Sequence, residues 1–261
     1  MSGYSVRGLN WFNALTGGAK AIEGLPPSLK VADSELGRFI AVVADPDNRF
    51  PRARNGEVGL LEGWGLAKAV DDAITADRDK AQKRPIIAIV DVPSQAYGRR
   101  EEALGIHQAL AGAADSYARA RLAGHPVIAL LVGKAMSGAF LAHGYQANRL
   151  IALRDPGVMV HAMGKASAAR VTLRSVEELE ALAASVPPMA YDIDSYASLG
   201  LLWETLSVQQ IEQPTTEDLA RVTECLKQAI DDISSTDLRK RLGAKSREAS
   251  SRVRELLRAQ W

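Results

Sequence analysis

Residues 126–153 read PVIALLVGKAMSGAFLAHGYQANRLIAL. The run PVIALLV (126–132) is apolar without polar alternation, the pattern of a strand covered on both faces. GKAMSGA (133–139) then brings two glycines with a serine between them, which reads as a turn. FLAHGYQA (140–147) reads as a short helix and RLIAL (149–153) as a second strand. A strand, a glycine turn and a helix in that order form the entry to a helix-covered parallel sheet. They also bring backbone N–H groups to the surface where no Cβ shields them.

The same pattern repeats on the N-terminal side. RFIAVVAD (38–45) and PIIAIVDV (85–92) are further apolar strand runs, and helical spacing covers 61–80 and 101–125. The spacing is about 40–47 residues, a structural repeat with no residue-level likeness between units. VMVHA (158–162) reads as one more short strand. The expected class is α/β. Residues 1–36 read as an irregular segment, broken by Gly17-Gly18 and Pro26-Pro27, residues 37–213 as the core and 214–261 as a helical segment. In that last part Thr215 or Thr216 followed by acids opens an amphipathic helix over 215–234. Residues 236–261 read as a basic helix, with eight Lys/Arg against three Asp/Glu from 237 on, a solvated face or a contact for an acidic partner.

Composition narrows the function classes. The 261 residues are 47% hydrophobic and carry a net charge of +1, so no global field points to nucleic acid or an anionic membrane. No apolar stretch approaches the ~20 residues that span a bilayer, and the N-terminus lacks a signal-peptide pattern. One cysteine, Cys225, excludes an internal disulfide framework and is read as core. The chain is expected to be cytoplasmic. Its four histidines, His107, His125, His143 and His161, show no metal-ligand spacing, so no metal is expected.

The chemistry is expected at two strand exits. One is Ser94-Gln95-Ala96-Tyr97-Gly98, the other Gly133 to Ala139. Two amides aimed at one oxygen make an oxyanion hole, and losing one donor from such a hole typically costs ~10²–10³ in rate. The expected donors are Gly138 and Ala139 in the second exit and the backbone of Ala96 to Gly98 in the first; equally, Gly133 and Gly138 could merely permit close packing. The second exit is not a phosphate loop, since Ala139-Phe140 follow Gly138 where Lys and Ser/Thr are needed. It is not a nucleophile elbow either, since Ala135 and Ala139 flank Ser137 where glycines are needed, so Ser137 reads as a helix cap or spacer. His161, at a strand end, is a candidate for substrate contact or a satisfied structural histidine. Arg99 and Arg100 could steer an anionic substrate or partner, or pair at the surface. A carboxylate pair at Glu101 and Glu102 would suit hydratase chemistry, though acids at a helix start are also favoured by its dipole.

Taken with these residues, PIIAIVDVPSQAYGRREEALGIHQALA and PVIALLVGKAMSGAFLAHGYQANRLIAL resemble the crotonase-like carboxyltransferases, in particular the α-type half of acetyl-CoA carboxylase carboxyltransferase. DPDNRFPRARNGEVGLLEGW (45–64) and VPPMAYDIDSYASLG (186–200) are similar, more closely, to the γ subunits of biotin-independent malonate decarboxylases. The likeness runs over about residues 35 to 230, and its motifs are far more specific than a lone glycine pattern. It implies a spiral of ββα units and a β-type partner subunit, with the active site between the two. It also implies an acyl carrier protein subunit bearing a CoA-derived prosthetic arm, and an α subunit that loads it. The implied reaction takes a malonyl thioester to the acetyl thioester and CO₂. The resemblance implies no covalently bound cofactor in this chain and no biotin. Where the carboxyltransferases have glycines, this chain has Ala135, Met136 and Ala139, and these bulkier residues are expected to fill the biotin space. Ser94-Gln95 stand where the relative has one glycine, which re-aims the first loop. An α-type subunit of a biotin-dependent carboxylase and a non-catalytic scaffold are the alternative readings.

Overall fold

A computed structural model describes residues 3–233, 244 and 247–261. Its centre is a sheet in the order β1 (Leu29–Asp33), β2 (Arg38–Val42), β3 (Ile86–Val92), β4 (Val127–Met136), β5 (Arg149–Leu153), β7 (Glu204–Leu206). The short β6 (Met159–His161) also pairs with β4. β1 runs antiparallel to β2, and every other pairing is parallel. All residues of β2, β3 and β5 are buried, which is why these strands show no alternation in sequence.

β4 carries two partners on one edge. Ile128–Leu131 pair with β5, and Lys134–Met136 pair with β6. The strand therefore runs on through Gly133 to Met136, and the expected seven-residue turn contracts to a single sharp step at Ser137. Helices α2 (Leu60–Ala76) and α4 (Ile106–Leu122) cover one side of the sheet, packed against each other. The helix expected over 101–125 is broken. A short α3 (Arg99–Ala103) ends before Gly105, whose φ of 83° lies in the left-handed region that glycine adopts at little cost.

Residues 1–36, expected to be irregular, hold α1 (Arg7–Thr16) as well as β1. Trp11 is fully buried, and its indole N–H donates to the Ile211 carbonyl at 2.8 Å. The segment's glycines and prolines punctuate its ends rather than its interior, so they mark where α1 stops and β1 begins. After β6 come α6 (Lys165–Val171), α7 (Val176–Ala183) and α8 (Ile193–Ser198), which stand beside the end of β4 before the chain returns to the sheet as β7. α9 (Thr216–Asp231) starts at Thr215, whose hydroxyl accepts from Asp218 N–H at 3.1 Å, as the capping pattern predicts. Of the basic helix expected over 236–261, residues 236–243, 245 and 246 lie outside the described residues. The remainder forms α10 (Glu248–Gln260), which buries no side chain.

Candidate active site

The end of β4 and the start of α5 (Ser137–Ala142) define the site. Ser137 has φ 58°, a left-handed conformation that a residue with a Cβ adopts at a cost of about 1–2 kcal/mol. This step swings the chain from strand to helix within one residue. It leaves the next amide, Gly138 N–H, outside the strand ladder and the helix. That amide donates to Gln95 Oε1 at 2.8 Å. The two expected exits thus meet directly, with Gln95 of the first supplying a carbonyl oxygen to Gly138 of the second. Because a backbone N–H can only donate, the contact fixes which end of the Gln95 carboxamide is oxygen.

Beside this junction lies a cavity of about 610 Å³, lined by Ser137, Gly138, Phe140, His161 and residues of α6, α7 and the Pro187–Met189 turn. Its walls are predominantly apolar, and among the described residues no Asp, Glu, Lys or Arg lines it. Met136 does not fill it. With Ala168, Leu179 and Tyr191 it forms a separate buried cluster, while Ala135 is fully enclosed in the main core. Strand alternation points Ala135 into the core and Met136 has partners of its own, so neither residue lines this cavity.

His161 stands in the cavity wall, half-buried and stacked on Tyr191 with ring centres 3.9 Å apart and planes 13° apart. Its Nδ1 lies 2.9 Å from the Met163 carbonyl oxygen and 3.2 Å from the Met163 backbone N–H, so Met163 satisfies Nδ1 in either tautomer. Burial holds its pKa below the usual histidine value, so the ring is neutral at pH 7. The Tyr191 hydroxyl donates to the same Met163 carbonyl at 2.9 Å. Tyr191 escaped notice in the sequence, although it lies within the quoted stretch 186–200; nothing in its spacing distinguishes a stacking partner from core.

Other expected site residues take different roles. The Ala96 N–H donates to the Val58 carbonyl at 2.8 Å, so it is not a free donor for a substrate oxygen. Together with the Val58 N–H to Ser94 carbonyl bond at 3.1 Å, it pins the first exit to the loop before α2. The Ser94 hydroxyl turns back to the Gln95 carbonyl. Tyr97 is exposed, and Arg99 projects outward. A Cβ on Gly98 would stand 2.5 Å from Arg52 Nε and 2.6 Å from Glu101 Oε2, so this glycine makes room for side chains. Gly133 is likewise a packing residue, for a Cβ there would overlap the Asp91 carboxylate. Asp91 explains why: its oxygens accept from Gly8 N–H at 3.2 Å and Lys134 N–H at 3.1 Å, fastening α1 to the strand end. Ala139 is fully buried in the first turn of α5 and packs in the core.

Neither Glu101 nor Glu102 reaches the cavity. Glu101 is buried beside Gly98, and Glu102 is exposed, so the carboxylate pair that a hydratase wants is not assembled there. Among the described residues no three His, Cys, Asp or Glu side chains are placed to share a metal ion. His143 is buried between the Tyr117 hydroxyl (3.0 Å at Nδ1) and the Ile89 carbonyl (2.9 Å at Nε2). Cys225 is buried in the core, where burial pushes its thiol up to about 11. Among the described residues no helix is long and apolar enough to cross a membrane.

Residues 53–261 match the family model of the malonate decarboxylase gamma subunit, MdcE. The chain belongs to the malonate decarboxylase gamma subunit family. A Pseudomonas malonate decarboxylase hetero-tetramer, solved in complex with coenzyme A, contains a chain 74% identical to this gamma-family chain. It superposes with a TM-score of 0.94 over 98% of this chain and 99% of that one. A Pseudomonas MdcD-MdcE hetero-dimer contains one 70% identical, with a TM-score of 0.91 and the same coverage. Among curated proteins, the malonyl-S-ACP:biotin-protein carboxyltransferase MADD of Malonomonas rubra is 40% identical over 157 residues. That alignment takes in 59% of this chain and 54% of the relative, so the chain spans about half the length of the relative it matches. Transcarboxylase 12S (TM-score 0.61, 19% identity, 87% of this chain and 42% of that one) shares the fold alone, and that fold is crotonase-like.

Proposed function

We propose that this gamma-family chain, paired with a β-type subunit, decarboxylates a malonyl thioester carried on the CoA-derived arm of an acyl carrier protein. The products are the acetyl thioester and CO₂, and an α subunit loads the carrier. The observation that carries the reading is the Gly138 amide, held outside strand and helix beside a cavity whose described walls are apolar and uncharged. Loss of CO₂ turns a carboxylate into a neutral gas and moves the charge onto an enolate oxygen. An apolar wall gives the carboxylate little compensation for lost water, whereas a fixed N–H stabilises the enolate as it forms. No nucleophile is needed.

Gln95 Oε1 occupies the position of a substrate oxygen on Gly138 N–H. In this reading the thioester or enolate oxygen takes that position and Gln95 turns aside. Because Met163 engages Nδ1 of His161, Nε2 is the ring nitrogen left for substrate, partner or water. In this reading the proton that completes the acetyl group comes from His161, from the partner subunit or from water.

The test is reconstitution. The chain is co-expressed with a β-type subunit, malonyl-CoA or malonyl-loaded carrier protein is supplied, and CO₂ release is recorded against each chain alone. Release from the pair only is the expected result. A stable pair that releases none refutes the reading.

Transfer of the carboxyl group to a biotin protein is the second reading. It is favoured by the name of the M. rubra relative and by the open cavity. CO₂ release that is unaffected by avidin and needs no biotin protein decides for decarboxylation.

A further inference from the structure

Two loops next to the site carry exposed arginines. Arg49 and Arg52 follow β2, while Arg99 and Arg100 open α3 after β3, and all four are exposed. The guanidinium of Arg49 lies 4.8 Å from the centre of the Phe50 ring, and that of Arg100 lies 5.3 Å from it. Phe50 is almost fully buried, with its N–H held by Asn48 Oδ1 at 2.9 Å, so it is a fixed platform. Arg52 lies across Gly98 from the other loop. Among the described residues, none of the four arginines forms an ion pair with a carboxylate. Nearby Glu57 is engaged by Asn55 instead, at 2.9 Å from its N–H.

Glu101 faces Arg52 across Gly98 and offsets part of its charge, but Arg49, Arg99 and Arg100 form no ion pair among the described residues and repel one another, and a chain of net charge +1 does not require the cluster for solubility. Stacking on Phe50 holds two of the guanidinium groups in place and reduces the entropy lost when they grip an anion. Planar forks with free N–H groups suit phosphoryl oxygens. The position matters as well. Gly98 lies three residues from Gln95, so the cluster begins within about 10 Å of the residue that meets Gly138.

We propose that Arg49, Arg52, Arg99 and Arg100 form a phosphate-binding face that grips the phosphoryl end of a CoA-type thioester arm while the acyl end reaches Gly138. The assignment of the arm rests on the function proposed above; the phosphate chemistry rests on the arginines. Bound phosphate would also relieve the repulsion among them.

The experiment uses the full chain in complex with its β-type partner. Coenzyme A and pantetheine, which lacks the phosphates, are titrated calorimetrically into the native complex and into the Arg49→Gln/Arg100→Gln complex. The expected result is a loss of coenzyme A affinity of about tenfold or more, with a shallower dependence on salt and no change for pantetheine. Coenzyme A affinity and salt dependence equal in both complexes would overturn the proposal. So would a double variant that no longer co-elutes with its partner, since the arginines would then belong to the subunit interface. A native complex that binds coenzyme A through these arginines yet releases no CO₂ would sink the catalytic reading and leave this one standing.

Discussion

At the residue scale, the site depends on one amide. Gly138→Ala adds a Cβ 3.4 Å from Gln95 Oε1 and 3.5 Å from Leu110 Cδ1, ordinary contact distances. This variant is expected to fold and to keep turnover within a few-fold. Gly138→Pro removes the N–H and is expected to lose ~10²–10³ in kcat, measured as CO₂ release by complexes shown to be intact by co-elution. Gly133 was expected in the same role, yet its Cβ would collide with Asp91. Gly133→Ala is therefore expected to lower thermal stability by about 1–3 kcal/mol, read from the melting temperature. The two glycines look alike in the sequence, because sequence shows that a Cβ is missing and not what stands where it would be. His143 gives a pH signature. Burial pushes its pKa from 6.5 down to about 4, so between those values the unfolded chain binds the extra proton. Its contribution to stability rises as pH climbs from about 4 to about 6.5 and is flat above. Denaturant midpoints at pH 5 and pH 7 should differ less in His143→Gln, by up to about 1.4 kcal/mol per pH unit.

At the scale of elements, the strands were legible because burial on both faces removes alternation, and β3 and β5 fall within a residue of the apolar runs that announced them. α9 was legible through its cap. That cap holds more than the pattern shows, since Asp218 is buried and accepts from the N–H groups of Gln209, Gln210 and Thr215 and from the Thr215 hydroxyl. Burial alone would raise its pKa, but these donors outweigh it and hold the carboxyl below the usual range. Asp218→Ala leaves the donors unmet and is expected to cost about 2–4 kcal/mol, measured by denaturant unfolding. What the sequence hid was the length of β4. Gly133 and Ser137 read as turn signals, but a glycine stays in strand when a buried carboxylate needs its space, and a single left-handed serine can turn the chain alone. The meeting of Gln95 with Gly138, 43 residues apart, follows from parallel pairing of β3 with β4 and has no local sign.

At the scale of the molecule, the N-terminal helix is a structural member. Trp11 is enclosed, and Arg7 joins Asp155 at 2.9 Å and Glu212 at 2.6 Å, tying the first helix to segments more than 140 residues away. Trp11→Ala is expected to destabilise by about 3–5 kcal/mol, which corresponds to about 2–4 °C of melting temperature for each kcal/mol. Composition gave no hint of this role, because α1 is short and the carbonyl that Trp11 reaches lies 200 residues on.

The cavity wall from β6 to α8 is spliced between β5 and β7, two strands that lie side by side. Its ends are therefore neighbours, stitched to the sheet by the Trp203 N–H to Leu150 carbonyl bond at 2.7 Å and the Arg154 N–H to Leu206 carbonyl bond at 2.8 Å. The wall is in effect a cassette. Evolution, or an engineer, can exchange it for one of different shape without rethreading the core, while the Gly138 amide stays on the sheet side of the splice. Divergence of acyl specificity within this architecture should then accumulate in residues 159–201, and chimaeras cut at those two stitches should be the ones that fold.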